Sequence, residues 1–80
     1  MNELVVHLNR NKKSQFQSRL NDLLKEKNLT DEMVFSFDSG ESSYFIITVD
    51  SEIGEELLKD FKLFKEIDGV FLRPSTEPPI

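Results

Sequence analysis

The spacing of apolar residues along the chain predicts four strands and two helices in the order β-α-β-β-α-β. The segment ELVVHLN predicts a first strand with Leu4, Val6 and Leu8 on one strongly apolar side and Val5 and His7 on the other. The run YFIITV is rich in β-branched and aromatic residues and predicts another strand. Shorter runs, MVFSFD and VFLR, predict the remaining two, and the polar segment DSGES around Gly40 predicts a hairpin loop.

Two segments show the spacing of amphipathic helices instead. Their apolar residues recur every three to four positions: Phe16, Leu20, Leu23 and Leu24 in the first, and Ile53, Leu57, Phe61 and Phe64 in the second. Ser14 and Gln17 form the pattern S-x-x-Q, which predicts a capping box at the start of the first helix, and Asn28 is suited to end it. Asp50 or Ser51 is expected to cap the second helix.

This order of elements predicts an α+β fold of the ferredoxin-like type, a βαββαβ sandwich with a four-stranded antiparallel sheet. Right-handed crossovers place both helices on one face of that sheet, and the usual strand order is 4-1-3-2. Residues 1–73 are expected to form a single domain. Residues 74–80 contain three prolines and predict an extended tail, because Pro74 cannot donate to a sheet ladder.

The more apolar side of each strand is expected to face the helices. The predicted core therefore contains Leu4, Val6, Leu8, Met33, Phe35, Phe37, Phe45, Ile47, Val49, Val70 and Leu72, together with the two helical stripes. The opposite face is left with Val5, His7, Val34, Ser36, Tyr44, Ile46, Thr48, Phe71 and Arg73. A patch formed by Val5, Tyr44, Ile46 and Phe71 has the character of an interface, whereas single exposed apolar residues are normal on any protein surface.

Composition excludes several classes of protein. The 80 residues contain no cysteine, which excludes disulfides and thiolate zinc sites. A net charge of −5 argues against binding to nucleic acid or to an anionic membrane. No segment approaches the roughly twenty apolar residues of a membrane span, and the N-terminus lacks the pattern of a signal peptide. A cytoplasmic location is therefore expected, although a secreted protein with a trimmed signal would have the same sequence.

Candidate chemistry is sparse. His7 is the single histidine, and no Ser or acidic residue is spaced to form a recognisable catalytic set with it. The acidic residues of the second helix predict a solvated face, and no metal site or cofactor is expected. Arg10, Lys12 and Lys13 precede the first helix, where an anion can bind, but the loop contains no glycine for close approach to phosphate. A solubilising loop is the preferred interpretation of these three residues.

The C-terminal half offers a resemblance to a known family. Residues 44–79 resemble the second half of subtilisin-type propeptides and their related peptidase inhibitors, through the helix around residues 55–58, Gly69-Val70 and an acidic tail at Glu77. The resemblance implies a ferredoxin-like fold whose open sheet face docks on a protease and whose tail enters the active-site cleft. Pro78-Pro79 departs from a substrate-like strand, and no individual inhibitory residue is assigned.

These observations favour a non-enzymatic protein-interaction module that binds through the open sheet face. Its predicted contact residues are Val5, His7, Tyr44, Ile46, Phe71 and Arg73, and its partner is another protein or a second copy of the chain. Two alternatives are a propeptide-like protease inhibitor or folding chaperone, and a domain that binds a small anion through Arg10, Lys12 and Lys13.

Overall fold

The computed structural model describes residues 2–74, which form four strands and two helices in the predicted order. Their bounds are β1 Asn2–Asn9, α1 Lys13–Glu26, β2 Val34–Ser39, β3 Ser42–Val49, α2 Ser51–Phe61 and β4 Ile67–Pro74. The strands form one antiparallel sheet in the order β2-β3-β1-β4, which is the predicted order read from its other edge. The fold is α+β and ferredoxin-like, as the sequence predicts.

The core lies between the central strands and the two helices. Alternate residues of β1 and β3 are almost fully buried against one stripe from each helix: Leu4, Val6, Leu8, Phe45, Ile47 and Val49 meet Phe16, Leu20, Leu24, Leu57 and Phe61. The Phe16 ring lies at its centre, with ring centroids 4.8 Å from Phe45 and 5.4 Å from Phe61 in edge-to-face geometry. This arrangement fixes which side of the sheet the helices cover.

The start of α1 differs from the prediction. A 3₁₀ turn, Arg10–Lys12, precedes the helix, and the Asn9 side chain accepts a hydrogen bond from the backbone N–H of Asn11 at 3.1 Å. Because helical backbone geometry begins with this 3₁₀ turn, α1 starts at Lys13 and Ser14 lies inside its first turn. The predicted capping box at Ser14 is therefore wrong.

The end of α1 is as predicted. Asn28 adopts a left-handed conformation with φ of 58°, and its N–H donates to the carbonyl of Lys25 at 3.2 Å. The N–H of Leu29 donates to the carbonyl of Leu24 at 2.7 Å, which completes a Schellman motif. Asparagine tolerates this conformation better than most residues other than glycine, so Asn28 ends the helix.

The second helix begins after Asp50, one of the two predicted caps. The Asp50 side chain makes no capping hydrogen bond within the described residues, and its backbone carbonyl accepts from the N–H of Gly54 at 2.8 Å. Gly54 is buried where α2 lies closest to the sheet. A β-carbon at this position would lie 2.9 Å from Leu72 Cδ1 and 3.3 Å from Val49 Cγ2. The missing side chain thus allows the helix to approach β3 and β4.

Strand β2 faces the opposite way from the prediction. Gly40, with φ of 61°, and Glu41 form a two-residue loop that pairs Ser39 with Ser42. This register places Phe35 opposite Ile46 and Phe37 opposite Tyr44 on the side away from the helices. Directly opposed residues of an antiparallel pair share a face, so the tight turn decides the orientation of the whole strand.

The assignment of Phe35 and Phe37 to the core is therefore wrong, as is that of Val34 and Ser36 to the open face. Val34 packs against the core from the helix side. Met33, also assigned to the core, ends a 3₁₀ turn before β2 and is half-buried. Strand β2 thus carries its bulky residues outward.

Strand β4 forms one edge of the sheet and contains an irregularity. Its pairing with β1 shifts between His7 and Leu8, which pair with Gly69 and Ile67 and leave Asp68 as an extra residue. Pro74, which the sequence assigns to the tail, is the last residue of β4 and pairs with Asn2. The predicted tail beyond it, residues 75–80, lies outside the described residues.

Candidate functional site: the open face of the sheet

The open face is the side of the sheet away from α1 and α2. All six residues that the sequence predicts as protein contacts lie on it, on three adjacent strands: Val5, His7, Tyr44, Ile46, Phe71 and Arg73. Phe35 and Phe37 extend it onto β2. The strand pairing arranges these residues in parallel rows across the sheet.

The first row contains three stacked rings. The Phe37 and Tyr44 rings have centroids 4.9 Å apart and planes 15° apart. Tyr44 and His7 follow with centroids 4.9 Å apart and planes 23° apart. The row ends at Gly69, opposite His7 on β4. Among residues 2–74, no heavy atom outside its immediate chain neighbours lies within 4 Å of the position that a Gly69 β-carbon would take.

The second row is apolar from edge to edge. It consists of Phe35, Ile46, Val5 and Phe71, which lie side by side in the pairing register. Val5 is only 8% exposed because its neighbours cover it, whereas Phe35 is 62% and Phe71 52% exposed. The row therefore has a closed apolar floor at its centre and a projecting aromatic ring at each edge.

Four polar residues on this face form two pairs with each other. The Arg73 Nε donates to Glu3 Oε1 at 3.0 Å, and these residues face each other across β4 and β1. The His7 Nε2 lies 3.0 Å from the Ser42 hydroxyl. Within the described part of the chain, no buried side-chain nitrogen or oxygen lacks a hydrogen-bond partner.

The predicted anion site lies on the other side of the sheet and already contacts a carboxylate. Lys13 Nζ lies 3.0 Å from Asp38 Oδ1, and Arg10 Nε lies 3.8 Å from Asp38 Oδ2. The buried Ser43 hydroxyl also donates to Asp38 Oδ1 at 2.7 Å. The hydrogen bonds from Ser43 and Lys13 lower the pKa of the Asp38 carboxyl below its ordinary value of 3.8. A free anion would compete with Asp38 for Arg10 and Lys13.

Across residues 2–74, no group of three or more His, Asp or Glu residues is placed to hold a metal ion. Within the same range, no helix is long and apolar enough to cross a membrane. The acidic face of α2 lies near Lys27, whose Nζ is 3.3 Å from Glu56 Oε2 and 4.0 Å from Asp60 Oδ2.

Sequence reasoning missed Phe35 and Phe37 as members of the open face. The signal that identifies them is the hairpin: a two-residue loop with glycine first fixes the register of the strands on either side. Given that Phe45 faces the core, Tyr44 faces away from it, and Phe37 follows by pairing. Comparison with protein-family models, curated proteins and solved structures found no match.

Proposed function

We propose that this chain is a non-enzymatic protein-interaction module that binds its partner through the open face. The observation that carries the proposal is the exposure of Phe35, Phe37 and Phe71 on one surface, at 62%, 41% and 52%. With about 200 Å² for each side chain, these rings alone expose about 300 Å² of aromatic surface. The largest apolar patch of a protein surface is commonly of about this size and is often functional.

The stacked row supports the same proposal through conformational entropy. Binding costs free energy when flexible side chains are immobilised, and aromatic rings have only two side-chain torsions to fix. Because Phe37, Tyr44 and His7 already restrict one another by stacking, little further ordering is required on binding. Such pre-organised aromatic residues are the ones that dominate binding energy in protein interfaces.

The exposure of rings along the open face favours a protein partner over a small substrate. Enzyme sites are usually concave, so that substrate is enclosed and water is excluded. Here the candidate acid–base group, His7, stands within a row of rings on an extended sheet and its Nε2 is engaged by Ser42. A broad surface with a covered floor at Val5 suits a macromolecule of similar shape.

Two other functions stay predictions. Protease inhibition would use the same face but also depends on residues 75–80, which lie outside the described part of the chain. Anion binding would require displacement of Asp38 from Arg10 and Lys13. Neither has an observation as specific as the exposed aromatic rows.

A comparison of two surface variants tests the proposal. Phe35→Lys removes an exposed ring from the open face, and Leu63→Lys removes an 81% exposed apolar side chain from the loop after α2. The full chain and both variants, each verified as folded by circular dichroism, are used for affinity capture from an extract of the native host. Proteins captured by the wild type and by Leu63→Lys should be lost with Phe35→Lys. Capture that both variants retain, or both lose, would contradict the proposal.

A further inference from the structure

We infer that the partner is a second copy of this chain, bound face to face through the open face. The inference rests on the proposed function, and names the occupant of the proposed surface. Two properties of the face support it, its charge and the relation between its two rows, and its area sets the expected affinity.

The open face is electrically neutral on a chain that is strongly acidic. Among the paired positions of the described strands, its charged side chains are Glu3 and Arg73, which form an ion pair at 3.0 Å. The whole chain carries a net charge of −5. Two copies that meet by this face therefore bring neutral surfaces together while their excess negative charge stays at a distance. A partner with a strongly charged surface finds no complementary charge there.

The two rows are complementary to each other, which is the requirement for a two-fold symmetric interface. At the β4 edge, Phe71 projects from the second row, and Gly69 leaves an open position in the first row about 7 Å away along the strand. A two-fold axis that runs between the rows places each row over the other row of the second copy. The Phe71 ring then enters the space above the Gly69 of the other copy, and Phe35 lies over Phe37.

The outer rows complete this arrangement with polar contacts. The same axis brings the row that contains Glu3, Thr48 and Arg73 of one copy over the pair formed by Asn9 and Ser42 of the other copy. An apolar centre surrounded by a polar rim is the usual anatomy of a protein interface. The ion pair and the contact between His7 and Ser42 keep these groups hydrogen-bonded when water leaves.

The contact area of the open face limits the affinity between the two copies. Four strands at about 4.8 Å spacing and five residues at about 3.4 Å rise cover about 19 by about 17 Å, which is about 330 Å² of sheet per copy, or about 650 Å² from both copies. This value lies below that of stable complexes, so the expected association is weak and transient. The expected dissociation constant is on the order of 100 µM.

Analytical ultracentrifugation of the full 9.3 kDa chain from about 5 to about 500 µM measures this equilibrium. The decisive variant is Gly69→Val. Gly69 does not have positive φ, and its β-carbon position is unoccupied by the described residues, so valine fits the monomer and favours the strand. The added side chain fills the space that Phe71 of the other copy requires. Both Gly69→Val and Phe71→Lys should weaken the dimer at least about tenfold, and Leu63→Lys should leave it unchanged.

The salt dependence of association provides a second test of the same dimer. Because the excess charge of both copies is negative, screening between about 0.05 and about 0.3 M NaCl should strengthen association. A wild-type chain that stays monomeric to about 500 µM, or a dimer that Gly69→Val and Phe71→Lys leave intact, would overturn the inference. Face-dependent capture of a different protein by such a monomer would leave the proposed function standing, so the two failures are distinguishable.

Discussion

Arg19 on α1 and Glu66 before β4 form the contact whose removal should reveal most about how the helices are held to the sheet. Arg19 Nη1 lies 3.1 Å from Glu66 Oε1 and 3.4 Å from Oε2. The guanidinium carbon also lies 4.5 Å from the centre of the Phe64 ring. The Glu66 side chain is only 10% exposed, whereas that of Arg19 is 54% exposed. The two partners therefore differ in how well water can replace the contact.

Substitution Arg19→Met should destabilise the fold by about 2 kcal/mol. Loss of the partially solvated ion pair contributes about 0.5–1 kcal/mol. The Glu66 carboxylate left largely buried without a donor adds about 1 kcal/mol, and loss of the cation–π contact with Phe64 adds about 0.5 kcal/mol. Methionine preserves the apolar stem of the side chain, so the packing contribution should change little.

A double-mutant cycle measured by urea denaturation tests this reasoning. Glu66→Leu alone should cost about 0.5 kcal/mol, because the half-exposed Arg19 regains water. The double variant Arg19→Met/Glu66→Leu should be less destabilised than Arg19→Met alone, since it leaves no unpaired buried charge. If Arg19→Met costs less than about 0.5 kcal/mol, or if the two single effects simply add, the buried carboxylate is not the origin of the energy.

Five further substitutions, at four positions, test other parts of the fold. Asn28→Gly should raise stability by about 0.5–1 kcal/mol in thermal unfolding, because glycine adopts the left-handed C-terminal position of α1 without strain; a loss of stability would contradict the assigned cap. Gly54→Val should cost about 2 kcal/mol by crowding Leu72, and Gly54→Ala should fall within about 1 kcal/mol of wild type, as measured by urea denaturation. Ser43→Ala should raise the Asp38 pKa in an NMR titration, because the carboxylate loses its strongest hydrogen bond. The pKa of Asp38 is depressed in the folded state, so the ionised carboxylate stabilises the fold above about pH 4. This stabilisation is lost as the pH falls through the folded-state pKa. The difference in stability between wild type and Asp38→Asn should therefore shrink on acidification.

The sequence predicts most of this fold because its central strands and helices carry unambiguous periodicity. In β1 and β3 one side is clearly more apolar, so core positions such as Val6 and Phe45 follow directly. The prediction fails at β2, where Phe35 and Phe37 suggest a buried side but the hairpin pairing places them outward. An edge strand gains little burial from either orientation, so the geometry of its turn determines which side chains face the core.

The candidate site is correspondingly predicted in part. Six of its residues follow from alternation alone, whereas the stacking of Phe37 on Tyr44 and the space at Gly69 depend on register and on the three-dimensional spacing of strands. The capping error at Ser14 has a similar cause. The S-x-x-Q pattern is present, but the helical segment has already begun at the 3₁₀ turn that Asn9 stabilises.

The two outer strands of the sheet differ in how they resist fibre formation. The β4 edge carries an irregularity at Asp68 and ends in Pro74, and both features obstruct the addition of a foreign strand. The β2 edge consists of six residues, contains no proline and carries two exposed phenylalanines. Its short length is its main protection, so amyloid-like growth in concentrated or partly unfolded samples should begin at this edge.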